Sequence, residues 1–93
     1  MGSERLDVKD LRYFVAVYEA KGFSSASQML DTVQSNVSTR IGSLEEYLGV
    51  LLFVRRYRKI VPTPSGDRLY PYAKQLLASL DLTERLIRAE RLT

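Results

Sequence analysis

Residues 23–66, FSSASQMLDTVQSNVSTRIGSLEEYLGVLLFVRRYRKIVPTPSG, decide the fold. Two short helical patterns, a turn, two β-rich runs and a new helix start follow one another there without a long linker. The second helical pattern opens on Gln34, Ser35, Asn36, Ser38 and Thr39, grouped around Arg40. A helix built only to fill a core does not spend its first two turns on hydroxyl and amide groups. A helix whose N-terminal end must meet phosphates and base edges does, because its free N–H groups favour anions and its side chains can pair with bases.

Working outward, Val37, Ile41, Leu44 and Leu48 recur at helical steps and give that helix an inward stripe, with Gly49 just past its end. Gln34, Ser35, Asn36, Ser38, Thr39 and Arg40 are left for the outer or N-terminal surface. Thr32 is its expected cap, within the turn Asp31-Thr32-Val33. The helix before it opens at Phe23-Ser24, with Ser24 as expected cap and Ala26, Met29 and Leu30 as its buried side. Ser24 and Ser25 at its start are candidate contacts for the same anion. Small Ala26 and Ser27 suit a close helix–helix approach, as in a helix-turn-helix.

Upstream, VKDLRYFVAVYEA over residues 8–20 spaces Leu11, Phe14, Val15 and Tyr18 as a first helix, capped by Asp7 and followed by Gly22. Downstream, residues 50–55 and 59–61 form two β-rich runs joined at Arg56-Tyr57-Arg58. They predict a two-stranded wing whose base carries Leu52 and Phe53. Arg55, Arg56, Arg58 and Lys59 lie within five positions with no acid among them. Alone, such a run is as well explained by the protection of a sheet edge. Beside the polar helix start it reads as a positive tip for phosphates or a narrow minor groove. Arg55 has a second candidate role, bracing the wing against Asp67.

Thr63-Pro64 starts a last helix, Thr as cap and Pro at the first helical position, running to about Arg91. Leu69, Ala73, Leu76, Leu80 and Ile87 trace a seam at heptad-like spacing, and Tyr72, Leu77 and Leu86 widen it. Pro71 is expected to bend this helix. So long an apolar surface predicts a second copy as its cover, in a homodimer. The chain divides into a winged part, residues 1–63, and the dimerising helix, 64–93.

Composition bounds the rest. The chain has 93 residues, 45% hydrophobic and 27% charged, which suits one small globular domain. With 14 Lys+Arg against 11 Asp+Glu its net charge is +3, so the placement of the cations says more than their number. There is no Cys and no His. No disulfide, metal site or cofactor is expected, and no nucleophile–base pair can be assembled, so an enzyme is not expected. No apolar run is long enough for a membrane span and the N-terminus is too polar for a signal peptide, which together predict a cytoplasmic protein.

In these residues the chain resembles the N-terminal DNA-binding domain of LysR-type transcriptional regulators. The resemblance covers about residues 6–80 and rests on several motifs in order. Leu11-Arg12-Tyr13-Phe14 resembles the first-helix motif, and Phe23-Ser24-Ser25-Ala26-Ser27 through Leu30 the second. Gln34-Ser35-Asn36-Val37-Ser38, Ile41 and Leu44 through Gly49 resemble the recognition helix. Leu52-Phe53 with Arg55 and Arg58 resembles the wing, and Thr63-Pro64-Ser65-Gly66 the start of the linker helix. Two positions depart: Val33-Gln34-Ser35 stands where the family often has Ser-Gln-Pro, and Pro62 where an apolar residue usually precedes the Thr.

The resemblance implies a mainly α fold, a winged helix-turn-helix followed by a long dimerising linker helix. It implies sequence-specific binding of double-stranded DNA at an interrupted palindromic operator, in proteins that are often tetrameric at full length. In the family an effector-sensing domain follows, so the chain is expected to be the DNA-binding fragment of a longer bacterial transcription regulator. Two other readings compete. One is the similar winged domain of a molybdate-responsive or other small regulator, against which stand the Gln34-Ser35-Asn36 start and the Arg55/Arg58 spacing. The other is a helical dimerisation module without nucleic acid, which makes Gln34–Arg40 ordinary surface and the wing cations mere solubilisers.

Overall fold

The computed structural model describes residues 6–91. Six elements follow in chain order: α1 (Val8–Ala20), α2 (Phe23–Met29), α3 (Gln34–Leu48), β1 (Phe53–Arg56), β2 (Lys59–Pro62) and α4 (Pro64–Glu90). Helix α1 is the hub, packed against α2, α3 and α4. Its Leu11, Phe14 and Val17 meet Ala26 of α2, Val37, Ile41 and Leu44 of α3, Leu52 and Phe53 at the wing base, and Ala73 of α4 in one core. The periodicity therefore locates the interior correctly on α1 and α3.

Helix ends are set partly as expected and partly by other atoms. The Asp7 carboxylate accepts from Lys9 N at 2.9 Å and caps α1. Lys21, not Gly22, takes the left-handed position after α1, with φ 62°. Ser24 does not cap α2: the cap position is Gly22, in extended backbone, and Ser24 lies inside the helix. Thr32 does not cap α3 either. That position falls to Val33, without a side-chain bond, because the Thr32 hydroxyl is turned to accept from Asn36. Met29 is 61% exposed, so the buried side of α2 is Ala26 with Ser27, whose hydroxyl donates to the Ser24 carbonyl. Gly49 ends α3 at φ 75°, as its position predicts.

The wing is antiparallel, with Phe53 opposite Pro62 and Arg56 opposite Lys59. Two residues, Tyr57 (φ 52°) and Arg58 (φ 64°), make its turn, both left-handed. Such turns match the strand twist but favour Asn-Gly, since a larger L-residue there costs about 1–2 kcal/mol. Glu45 of α3 holds the wing base, its carboxylate accepting from the N–H groups of Leu52 (2.8 Å) and Phe53 (3.2 Å).

Helix α4 opens on a Thr63 cap that accepts from Gly66 N at 3.1 Å and runs unbroken through Pro71. The expected bare seam is corrected at its start. Ala73 is wholly buried in the chain's own core, and Leu69 is half-buried against it. Leu76 (53%) and Ile87 (60%) are exposed, as are Leu82 and Leu86, while Leu80 is intermediate. With Leu6, Val8, Leu11 and Leu77, Leu76 and Leu80 line an apolar cleft between the start of α1 and the middle of α4.

A polar cluster ties α4 to α1. The Tyr18 and Tyr70 rings stack with centroids 4.0 Å apart. Tyr18 donates to Asp67 at 2.7 Å, Tyr70 donates to Glu19, and Lys74 donates to Glu19 at 3.1 Å. The acid expected to brace Arg55 thus takes its hydrogen bond from α1 instead. Donation from the Tyr70 hydroxyl, followed by that from Lys74, lowers the Glu19 pKa. The same carboxylate raises those of Tyr70 and Lys74, and the hydrogen bond to Asp67 raises that of Tyr18.

Candidate nucleic-acid interface

The α2–α3 turn brings two helix starts to one end of the molecule. Asp31 adopts φ 56° and Thr32 N donates back to the Ser27 carbonyl at 2.9 Å, which folds the chain tightly enough to aim α3 outward. Gln34, Ser35, Ser38 and Thr39 are exposed at that end. With no side-chain cap on Val33 and no acid in the first turn, the N-terminus of α3 keeps its partial positive charge.

The wing returns beside it. Lys21, Phe23, Ser24, Ser25, Gln34, Arg55, Arg58 and Lys59 line one shallow cleft together with Gly22 and Ile60. The lining holds four cations and no carboxylate. None of Lys21, Arg55, Arg56, Arg58 and Lys59 forms an ion pair among the described residues, so their charge stays available. Hydroxyls, an amide and unpaired cations on one concave surface can hold successive phosphates and present hydrogen-bonding groups to a groove between them.

Two of the expected surface residues face inward. Asn36 is half-buried, and its Nδ2 donates to the Tyr13 hydroxyl and to Thr32 Oγ1, each at 3.1 Å. Arg40 is half-buried as well. Its Nη1 donates to Asp10 at 3.0 Å, Asp7 lies at 4.0 Å, and the guanidinium sits 5.6 Å from the Tyr13 ring centroid. The Arg40 Nε is buried without a hydrogen-bond partner. Both side chains flank the Val37–Ile41 stripe, where a long polar group reaches α1 as easily as solvent. Their charge and amide hydrogens are engaged in holding α3 on α1, so the outward set is Gln34, Ser35, Ser38 and Thr39.

Sequence reasoning missed Lys21 and Phe23 in the cleft, and Tyr13 as the tie to α3. Tyr13 lies off the Leu11–Phe14–Val15–Tyr18 stripe, so its spacing gave no sign that it is 7% exposed, where its hydroxyl needs a partner.

The sequence profile of the bacterial regulatory helix-turn-helix proteins of the lysR family matches residues 8–67. The chain is 43% identical over 82 residues to the HTH-type transcriptional regulator YofA of Bacillus subtilis, covering 88% of this chain and 29% of that protein. It is 38% identical over 90 residues to the HTH-type transcriptional regulator BenM of Acinetobacter baylyi, covering 92% and 30%. The chain thus spans under a third of the length of these curated relatives. Among solved structures, that of the BenM DNA-binding domain with catB site 1 DNA superposes with a TM-score of 0.87 at 37% identity, over 90% of this chain and 94% of that one. Fold, motif order and sequence agree over most of the length, and the chain belongs to the lysR family of bacterial regulatory helix-turn-helix proteins.

Proposed function

We propose that this chain binds double-stranded DNA sequence-specifically as a homodimer, as the DNA-reading part of a bacterial transcription regulator. The observation that carries the reading is the single face shared by the α3 N-terminus, the α2 hydroxyls and the wing cations, with no acid lining it. Gln34, Ser35, Ser38 and Thr39 read the major groove, where Gln34 can pair with adenine. Ser24, Ser25, Arg55, Arg58 and Lys59 hold the backbone on either side. Asn36 and Arg40 set the attitude of α3 rather than touching bases. The known complex of the BenM domain with DNA supports the same docking here.

The exposed apolar residues of α4, Leu76, Leu82, Leu86 and Ile87, together with Leu80 and the cleft beside Val8, favour a second copy as their cover. A twofold dimer presents two recognition helices, and its operator is an interrupted palindrome. No catalytic step belongs to this reading. The protein acts in the cytoplasm, and among the described residues no helix is long and apolar enough to cross a membrane.

Selection of bound duplexes from a random library tests the proposal. The expected product is a palindromic consensus bound far more tightly than random duplex, with affinity falling steeply as salt rises. Recovery of no consensus, with no retention of duplex at low salt, overturns it.

A further inference from the structure

We propose that the Tyr57 ring is itself a DNA contact, packing against the sugar walls of the minor groove beside the major-groove site of α3. This inference rests on the duplex-binding reading above. Tyr57 occupies the first central position of the wing turn at φ 52°, followed by Arg58 at φ 64°. A bulky residue at positive φ is disfavoured, and Asn or Gly would make this turn without strain. Among the described residues no contact recovers that cost. Tyr57 is 91% exposed, more than any other large hydrophobic residue described, and no hydrogen bond or ring contact holds it among the described residues. A strained and solvated aromatic at the tip of a hairpin is evidence of a use outside the fold.

Its surroundings say what kind of use. Arg56, Arg58 and Lys59 flank it on the turn, and the cleft beside it joins Arg55, Arg58 and Lys59 to Gln34 without an intervening acid. A surface of this charge draws a polyanion. With α3 in the major groove, the wing cations that share its cleft lie at that groove's edge, and the negative potential of the adjoining minor groove attracts their guanidinium groups. An aromatic carried in with them meets deoxyribose and base edges, where apolar side chains make their contacts in that groove. A protein partner is the weaker match, because it would have to supply an acidic surface around an aromatic pocket.

The test uses the 93-residue chain, one duplex selected for tight binding by the wild type, and the variants Tyr57→Asn and Tyr57→Phe. Asn relieves the left-handed strain and removes the ring, so its Tm is expected to be no lower than the wild type's. Its affinity for the selected duplex is expected to be about tenfold weaker. Hydroxyl-radical protection is lost at the sugars under the wing, while methylation protection of guanine N7 under α3 persists. Tyr57→Phe recovers most of the affinity that Asn loses. Tight binding by Tyr57→Asn overturns the inference, as does a fall in its Tm, which would give the ring a folding role. Equal weakness of Phe and Asn overturns the ring contact as well. Failure of the wild type to bind any selected duplex is seen before a variant is compared, and removes the underlying reading instead.

Discussion

Asn36 Nδ2 donates to the Tyr13 hydroxyl at 3.1 Å, joining the first turn of α3 to the middle of α1. The bond engages a side chain with the chemistry of a base reader in holding α3 on α1. Tyr13→Phe removes the acceptor, and Asn36→Ala the donor. Each is expected to lower stability by about 1 kcal/mol. The double variant should lose little more than Asn36→Ala alone, because that change already removes the shared bond along with the one to Thr32. Urea unfolding of the four proteins measures this, and simple additivity would show that the two residues act independently.

Gln34 and Arg58 share the cleft but are expected to fail differently. Gln34→Ala should weaken the selected duplex by about 1–3 kcal/mol and leave random duplex nearly unchanged. Arg58→Ala should weaken both, and lower the slope of log K against log salt by about one unit. Titrations at several salt concentrations separate the two. An unchanged slope for Arg58→Ala would mean that the wing cation touches no phosphate.

The α1–α4 cluster predicts a pH profile with two flanks. Glu19 has a lowered pKa in the fold, so its contribution is present above the ordinary carboxylate range and is lost as pH falls through the lowered value. Tyr18, Tyr70 and Lys74 have raised values, so theirs are full below the unfolded values and are lost as pH rises through the raised ones. Tm should therefore decline on both sides of a neutral plateau. Glu19→Gln is expected to flatten the acid flank and, because its carboxylate is what raises Tyr70 and Lys74, part of the alkaline one; Tyr70→Phe is expected to reduce both flanks less. These groups lie near the surface, so the effects are modest and weaken in salt. Identical Tm–pH curves for wild type and variants would remove the cluster as their cause.

Leu76→Asp places a charge on the exposed face of α4 while leaving the Ala73 core contact intact. The winged part is expected to stay folded, the dimer to dissociate, and affinity for a palindromic duplex to fall steeply. Sedimentation and circular dichroism on the same sample check both halves. A wild type that is monomeric at micromolar concentration, yet binds the palindrome tightly, would refute the role given to α4.

What could be read from the chain alone was mostly what repeats locally. The Val37–Ile41–Leu44 stripe, Gly49 and the Thr63-Pro64 start each declare themselves within a few residues, through helical period or backbone preference. What escaped depends on partners far along the chain. Asn36 meets a residue 23 positions away and Arg40 one 30 positions away, and nothing beside them in sequence announces either. Ser24 and Thr32 have the chemistry of caps, but Thr32 is drawn into the Asn36 bond and Ser24 lies two positions too late. Leu69 and Ala73 keep the spacing of a seam, yet their half of α4 lies on α1, so the spacing alone could not tell an internal neighbour from a second copy.

At the foot of the wing, Gly66 lies so close to the Leu52 carbonyl that a Cβ there would overlap the oxygen. Thr63 adds two bonds across the same joint, its N–H donating to Leu52 O at 2.9 Å and its hydroxyl to Leu51 O at 2.6 Å. The start of α4 is mortised into the wing by these contacts. A twist of α4 is therefore expected to swing the hairpin tip like the far end of a lever instead of being absorbed where the two meet. In the proposed dimer, a mismatch between two half-sites is expected to be taken up by bending of the duplex, or by the distal turns of α4, where every residue from 81 to 91 is exposed.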